Sequence, residues 1–380
     1  MSSPKKIVIA GGGIAGLSAA QGAREISPDS DIKLICAEKR LTYYRPRICE
    51  IFSGLDPEKL LVKNEQWYKE NKIDTIWGTV VHVDKEDKSV TLDDGSKLEY
   101  DKLIISTGAV GNLPKVPGSE RDNVLAMRFI SDVDRVRKYP GKVAIIGGGL
   151  LGLEAAWHLS REGRAVTVVD RGSHLLSRQL DSQAAEFFKN ICLKAGVQVI
   201  LNGNLSHIED GKAVLEDGTE IEAAVVLFAA GIVPSVELGQ KTGLEVKRAI
   251  VVDDRMQTSL PDIYACGDCA EIDGINRGLW TVSMAQGLVA GKNAGGGDAV
   301  YKAEAPSYSM NAMGTRIWSL GDISATDGVV ETAGEDSFKK LFFSPEGKLV
   351  GAILIGDIGK SSKLRKAINE GIAKSQALSI

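Results

Sequence analysis

Residues 7–20 read Ile-Val-Ile-Ala-Gly-Gly-Gly-Ile-Ala-Gly-Leu-Ser-Ala-Ala, and residues 143–156 read Val-Ala-Ile-Ile-Gly-Gly-Gly-Leu-Leu-Gly-Leu-Glu-Ala-Ala. Each stretch joins a short apolar run, a glycine cluster and an Ala/Leu-rich segment, which predicts a strand, a tight turn and a helix. The spacing Gly-x-Gly-x-x-Gly is typical of turns that place a pyrophosphate at a helix N-terminus. Two such stretches predict two nucleotide-binding halves.

Each glycine of the repeated motif has its own physical role. The first makes the tight turn, the second lets the backbone approach the pyrophosphate, and the third lets the helix pack closely on the strand. The corresponding residues are Gly11, Gly13 and Gly16 in the first copy and Gly147, Gly149 and Gly152 in the second. A second predicted strand in each copy ends at Glu38 or Asp170, where a carboxylate can accept hydrogen bonds from ribose hydroxyls.

The duplication extends beyond the glycine clusters. Residues 90–108 align without gaps on residues 213–231. Each segment reads as a hairpin with Asp-Gly at its turn, followed by a buried strand that ends in Gly108 or Gly231. The alternative is a plain α/β protein with glycine-rich turns, and the repeated unit with both acids disfavours it.

Composition and charge exclude several other classes of protein. The chain has 380 residues, enough for two or three domains, and its net charge of −4 offers no basic surface for nucleic acid. No apolar run reaches the roughly 20 residues that a membrane helix needs. The first residues lead straight into a predicted strand, so we expect no signal peptide. Five scattered cysteines and the lack of a metal-ligand cluster favour a reducing, cytoplasmic setting without a metal site.

A third motif resembles a known family. The stretch from Thr258 to Asp268, Thr-Ser-Leu-Pro-Asp-Ile-Tyr-Ala-Cys-Gly-Asp, resembles the Thr-(x)6-Ala-x-Gly-Asp pattern of FAD-containing pyridine-nucleotide oxidoreductases. The resemblance implies that Asp268 hydrogen-bonds the ribityl chain of the flavin. It also implies an α/β fold with two Rossmann-like, three-layer nucleotide-binding domains, the FAD domain being interrupted by the NAD domain, and a small C-terminal α+β domain.

The predicted domain boundaries follow the motifs. Residues 1–111 and 252–309 form the FAD-binding domain, residues 112–251 the NAD(P)H-binding domain, and residues 310–380 the C-terminal domain. Residues 112–118, rich in Pro and Gly, read as the crossover linker. Residues 293–297 read as a loop near the end of the FAD domain.

Two further stretches resemble the NADH:rubredoxin oxidoreductase branch of this superfamily: Tyr43-Tyr-Arg-Pro-Arg47 and residues 350–366. The resemblance implies FAD contacts from Gly11, Gly13, Ile14, Ala15, Gly16, Glu38, Lys39, Arg45, Val81, Thr107, Gly108, Glu154, Asp268, Trp280 and Asn311. It implies NAD contacts from Gly147, Gly149, Gly152, Asp170 and Gly231. Asn311 departs from the branch, which often has Lys there. A short helix beginning near Thr281 would point its N-terminus at the flavin pyrimidine.

The acid in the second copy favours NADH over NADPH. The Asp170 carboxylate would repel the 2′-phosphate of NADPH. Arg171 follows directly and can accept that phosphate, or it can be a surface residue without a ligand role. We expect NADH to be preferred.

No thiol relay is evident for the electrons that leave the flavin. Cys266 and Cys269 overlap the Asp268 turn and read as small buried residues. Pro46, not Cys49, aligns with the single redox cysteine of related oxidases, and the chain has no histidine after His207, whereas glutathione-reductase-like enzymes need one. A flavin without such a relay suits a one-electron iron–sulfur partner.

The sequence therefore predicts reduction of a small acidic carrier, most readily rubredoxin, by NADH. The alternatives are an NADH oxidase, the flavin component of a nitrite-reductase-like system, and a non-catalytic redox sensor. Arg45 and Arg47 are candidates for the flavin edge, or form local salt bridges. A predicted C-terminal helix carries Lys360, Lys363, Arg365 and Lys366 on one face and Leu364, Ile368 and Ile372 on the other. That basic face either steers the partner or is only a solvated surface.

Overall fold

The computed structural model describes residues 4–303, 305, 307–325 and 329–380, which form two compact units. Unit 1 comprises residues 4–47, 56–110 and 232–303. Unit 2 comprises residues 48–55, 111–231 and the described part of 304–380. The division into three domains made from the sequence stays a prediction, and the first three residues lie outside the described chain.

The described residues form strands, α-helices and short 3-10 helices. The strands are β1 (Lys6–Ala10), β2 (Asp31–Cys36), β3 (Ile73–Trp77), β4 (Val80–Asp84), β5 (Ser89–Leu92), β6 (Lys97–Glu99), β7 (Lys102–Ile105), β8 (Ala109–Gly111), β9 (Val124–Ala126), β10 (Val143–Ile146), β11 (Val166–Val169), β12 (Gln198–Ile200), β13 (Leu205–Glu209), β14 (Lys212–Leu215), β15 (Glu220–Glu222), β16 (Val225–Phe228), β17 (Ile232–Pro234), β18 (Ile250–Val251), β19 (Ile263–Ala265), β20 (Ala270–Glu271), β21 (Ser307–Ala312), β22 (Thr315–Gly321), β23 (Val329–Ala333), β24 (Phe338–Phe343) and β25 (Leu349–Ile355). The α-helices are α1 (Ile14–Ile26), α2 (Glu65–Glu70), α3 (Ile130–Arg137), α4 (Leu150–Arg161), α5 (Ser182–Lys194), α6 (Glu237–Thr242), α7 (Trp280–Gly295), α8 (Ser361–Glu370) and α9 (Lys374–Ala377). The 3-10 helices are Arg45–Ser53, Pro57–Leu60 and Gly267–Cys269.

Unit 1 is built on a parallel sheet with the strand order β19-β7-β1-β2-β3. Helices α1 and α7 pack against this sheet and against each other. Their approach requires glycine, because a Cβ atom at Gly287 or Gly291 would lie 2.1 or 1.9 Å from a backbone oxygen of α1. The antiparallel sheet β4-β5-β6 contributes Val83 and Val90 to the same core, which makes the predicted three layers.

Unit 2 repeats this plan. Its parallel sheet has the order β12-β11-β10-β16-β9, with β10 and β11 in the places that β1 and β2 take in unit 1. The antiparallel sheet β13-β14-β15 corresponds to β4-β5-β6. The duplication read from the sequence is therefore confirmed as a duplication of structure, including both hairpins with Asp-Gly turns.

The C-terminal part of unit 2 is a separate antiparallel sheet, β21-β22-β25-β24-β23. Helix α8 buries Leu364 against a core that includes Trp318 and Leu341. This is the α+β arrangement that the sequence predicts.

The predicted short helix near Thr281 is wrong in length. Helix α7 begins at Trp280 and runs for 16 residues. Its last residue is Gly295, and the C-cap Gly296 has a φ of +106°, in the left-handed region. The predicted loop at residues 293–297 therefore begins inside this helix, because small residues at 294 and 295 continue the packing on α1.

Candidate functional site

In the first glycine turn, Gly11 and Gly16 are packed against backbone atoms, whereas Gly13 faces open space. Gly11 has a φ of +128°, and a Cβ atom there would lie 2.2 Å from the Ser106 carbonyl oxygen. A Cβ atom at Gly16 would lie 1.9 Å from the Gly11 oxygen. At Gly13, by contrast, a Cβ atom would meet no atom within 4 Å, and this residue is the N-cap of α1. The open side thus lies at the N–H groups of a helix N-terminus, where phosphate binds.

The second turn has the same geometry. Gly147 has a φ of +122°, and its Cβ atom would lie 2.5 Å from the Ala229 oxygen. A Cβ atom at Gly152 would lie 2.0 Å from the Gly147 oxygen, whereas one at Gly149, the N-cap of α4, would meet nothing within 4 Å. The residues of each turn therefore fit a dinucleotide pyrophosphate.

The acid after β2 is held by two neighbours from the Tyr-Tyr-Arg-Pro-Arg segment. The Tyr43 hydroxyl donates to Glu38 Oε2 at 2.6 Å, and Arg45 Nη2 donates to Glu38 Oε1 at 2.7 Å. Arg45 Nη1 also donates to the Tyr43 oxygen at 2.8 Å. Arg45 thus forms the local salt bridge that the sequence left open as an alternative. No sequence signal predicted that the Tyr43 hydroxyl would contact both Glu38 and Arg45.

The acid after β11 is held by the backbone. Asp170 Oδ2 accepts from the Gly148 N–H at 2.6 Å, and Asp170 Oδ1 accepts from the Gly172 N–H at 2.7 Å. Each carboxylate oxygen can accept a further hydrogen bond. The carboxylate is therefore fixed beside the glycine turn with capacity for two ribose hydroxyls, while Arg171 is exposed.

The Asp268 turn is fastened to α7. The Ser283 hydroxyl donates to Asp268 Oδ1 at 3.0 Å, and Gln286 Oε1 accepts from the Gly267 N–H at 2.9 Å. Trp280, one turn before Ser283, is the first residue of the helix. The long helix thus joins Asp268 and Trp280, two predicted flavin contacts, in one rigid element of unit 1.

The remaining predicted contacts are distributed over both units. In unit 1, Ile14 and Ala15 are buried in α1, whereas Lys39 and Val81 are exposed. The Thr107 hydroxyl donates to the Ser235 oxygen at 2.9 Å. Lys39 and Gly108 have positive φ angles of +51° and +69°. In unit 2, Gly231 has a φ of +92°, Glu154 lies on α4, and Asn311 is exposed on β21. Their roles as ligands stay predictions.

Glu154 is an unusual carboxyl within unit 2. Among the described residues it has no hydrogen bond or ion pair, and Glu50 is its charged neighbour. Burial, and then the negative charge of Glu50, raise the pKa of Glu154 to about 8. One turn along α4, His158 Nδ1 lies 2.8 Å from the Ser53 hydroxyl, and burial lowers the pKa of His158. Neutral Glu154 is therefore the favoured form at neutral pH.

This carboxyl makes stability depend on pH. The folded-state pKa of about 8 lies above the ~4.3 of an unfolded glutamate, so the folded state loses stability as pH rises from about 4.3 to 8. We expect Glu154→Gln, in the apoprotein, to match wild type near pH 5. At pH 9 it should be more stable by on the order of 2 kcal/mol, because a partly exposed carboxylate keeps some of its hydration. Chemical denaturation at both pH values measures this difference.

Glu50→Gln is the matched control for that prediction. It removes the like charge and should reduce the pH dependence without abolishing it, because burial is the larger cause of the shift. A Glu154→Gln profile parallel to wild type from pH 5 to 9 contradicts the assignment.

All five cysteines are free and buried. Burial raises the pKa of the Cys266 and Cys269 thiols, and Cys269 Sγ donates to the Cys266 oxygen at 3.3 Å. Because the thiolate is the reactive form, these side chains are poor redox groups. The interpretation of this pair, and of Cys36 and Cys192, as buried core residues is confirmed.

Two features are absent from the described residues. No group of three or more His, Cys, Asp or Glu side chains there could hold a metal ion. None of the helices in that part of the chain is long and apolar enough to cross a bilayer.

Both units of the chain match known protein families. Residues 5–287 match the family described as pyridine nucleotide-disulphide oxidoreductase, and residues 306–372 match the rubredoxin NAD+ reductase C-terminal domain. The chain is 36% identical over 371 residues to NADH-rubredoxin oxidoreductase of Clostridium acetobutylicum, covering 96% of this chain and 94% of that protein. It is 33% identical to the NAD(P)H nitrite reductase of Bacillus subtilis, covering 99% of this chain but only 49% of that enzyme.

The fold agrees with these similarities. The crystal structure of NADH:rubredoxin oxidoreductase from Clostridium acetobutylicum superimposes with a TM-score of 0.82 at 35% identity. The match covers 97% of this chain and 96% of that one.

Proposed function

The chain belongs to the pyridine nucleotide-disulphide oxidoreductase family, and from that premise we propose that it is an FAD-dependent enzyme that oxidises NADH and reduces rubredoxin. One observation carries the proposal: each unit has a glycine turn that is open at a helix N-terminus, at Gly13 and at Gly149. The match of residues 306–372 to a domain of rubredoxin reductases supports the choice of acceptor.

One set of residues binds NADH and another binds FAD. The Gly149 turn and Asp170 hold NADH, and the Gly13 turn, Glu38 and Asp268 hold FAD. When bound, FAD supplies the conversion of one hydride into two single-electron transfers. The protein contributes positioning, because both turns present rigid backbone N–H groups rather than mobile side chains.

The acceptor must take electrons without a protein thiol. The buried cysteines and the proline at position 46 supply no reactive thiolate, which argues against water-forming oxidase and disulfide reductase chemistry. A small iron–sulfur protein needs no such relay. Similarity to part of a nitrite reductase supports the same electron-input role in a larger system.

An anaerobic stopped-flow experiment tests the proposal. NADH should bleach the flavin absorbance of the FAD-loaded protein, and added rubredoxin should restore it faster than air-saturated buffer does. Faster recovery with oxygen would assign an NADH oxidase instead. A flavin that NADH does not bleach would leave the redox-sensor alternative.

The basic face of α8 should raise the rate of encounter. Lys360, Lys363 and Lys366 are exposed, although Lys360 precedes the helix, and Arg365 donates to the Ser307 hydroxyl at 3.0 Å. We expect Lys363→Glu with Lys366→Glu to lower the second-order rate with rubredoxin about tenfold at low ionic strength, and little at high salt, because exposed charges are screened.

The control for α8 carries the same charge change elsewhere. Lys85→Glu with Lys97→Glu reverses two exposed lysines, one in the turn between β4 and β5 and one on β6. Equal losses in both double variants would show that only net charge matters. If the loss of rate in the α8 variant is the same at low and high ionic strength, electrostatic steering by α8 is ruled out.

A further inference from the structure

Helix α7 has an exposed face that lacks the charged residues usual on a surface helix. The inner face carries Ser283 and Gln286, which hold the Asp268 turn. The outer face is exposed at Thr281, Met284, Ala285 and Leu288. Lys292 is the only charged residue in the helix. Surface helices normally carry charged residues on the solvent side, so an apolar outer face needs another explanation.

The apolar surface continues beyond the helix. The Tyr44 ring lies 4.8 Å from the Trp280 ring, and Tyr44 is 40% exposed. Together Tyr44, Trp280, Met284 and Leu288 form what we call the α7 stripe. Contiguous exposed apolar surface marks interaction sites. Aromatic residues and methionine are the types enriched there.

Basic residues outnumber acidic ones in the two segments that lead into the stripe. The segment 39–47, which carries Tyr44, holds Lys39, Arg40, Arg45 and Arg47. Of these, Arg40 pairs with Glu58 and Arg45 with Glu38. Arg277, three residues before Trp280, is exposed, and Asp273 is the exposed acid in the same connection. An apolar surface with a basic margin complements an acidic partner.

The α7 stripe also lies close to the turn that is predicted to bind the flavin. Asp268, the predicted ribityl contact, hydrogen-bonds to the inner face of the same helix whose outer face forms the stripe. The Asp268 turn and the α7 stripe are therefore separated by about one helix diameter, roughly 10–12 Å with side chains. A protein seated on the stripe is brought within that distance of the flavin-binding turn.

We propose that the α7 stripe is the contact surface for the acidic one-electron iron–sulfur acceptor, with Met284 and Leu288 at its centre. This inference rests on the proposed function and adds to it the place of contact. Methionine adapts its shape to a partner at little cost. The stripe makes short-range contact, whereas the α8 face acts on encounter at a distance.

Charge placed in the stripe tests this contact. Met284→Glu with Leu288→Glu should weaken binding of redox-inert, zinc-substituted rubredoxin about tenfold or more, measured by titration calorimetry. The second-order rate of flavin reoxidation by iron rubredoxin should fall by a similar factor. Met284→Lys with Leu288→Lys removes the same apolar surface but keeps the favourable sign, so its loss should be smaller.

Ile26→Glu is the control, because it places one charge on an exposed apolar residue of the same unit outside the stripe. It should bind and reduce rubredoxin as wild type does. Binding by the Glu pair within about twofold of wild type overturns the inference. So does a wild-type dimer that the Glu pair turns into monomers, since the stripe would then bind a second copy. If wild type neither binds nor reduces rubredoxin, the proposed function fails as well.

Discussion

Replacing Gly13 with alanine is expected to abolish most FAD binding while leaving the polypeptide folded. Gly13 has φ −76° and ψ −174°, which any L-residue can adopt, and a methyl group there meets no protein atom within 4 Å. Only a bound pyrophosphate would meet it. Overpacking of this kind costs about 1–3 kcal/mol, so affinity should fall roughly 10–100-fold. Flavin fluorescence titration of the apoprotein measures the loss, and thermal unfolding of the apoprotein should be unchanged.

Two matched glycine variants separate binding from folding. Gly16→Ala should destabilise the apoprotein itself, because its Cβ atom would lie 1.9 Å from the Gly11 oxygen. Gly149→Ala should leave FAD binding intact and raise KM for NADH, since it changes the equivalent position of the second turn. Normal FAD affinity in Gly13→Ala would show that the phosphate lies elsewhere.

Replacing Asp170 with serine should reverse the preference for NADH. Hydrogen bonds to charged groups are worth about 1.5–3 kcal/mol, so kcat/KM for NADH should fall roughly 10–100-fold. NADPH should improve, because the carboxylate no longer repels the 2′-phosphate and exposed Arg171 can pair with it. Initial rates with both coenzymes, at saturating acceptor, give the ratio of the two kcat/KM values.

Arg171→Ala supplies the control for coenzyme choice. In the Asp170→Ser background it should remove the gain with NADPH, and in wild type it should leave NADH nearly unaffected. An unchanged ratio in Asp170→Ser would mean that the carboxylate serves only the two backbone N–H groups that it accepts from. NADPH preferred by wild type would also contradict the assignment.

Much of the site could be read from the sequence because its parts are local. Both glycine turns, both hairpins and the buried cysteines follow from residues within a few positions of each other. The end of α7 could not be read this way. Residues 293–297 look like a loop, yet Asn293 to Gly295 remain helical, because the Asn293 amide donates to the backbone oxygens of Arg255 and Ala299 and Gly295 lies close to Ala23 of α1. Sequence signals describe propensity, and packing overrides them.

The sequence by itself determined the two glycine turns, because left-handed backbone at Gly11 and Gly147 is a local conformation that a residue without Cβ adopts at no steric cost. Only the tertiary structure decided what surrounds them. It pairs Tyr44 with Trp280, fastens Asp268 to Ser283, and sets Glu50 beside Glu154. Such contacts join distant parts of the chain, and their energies depend on burial and charge that folding creates.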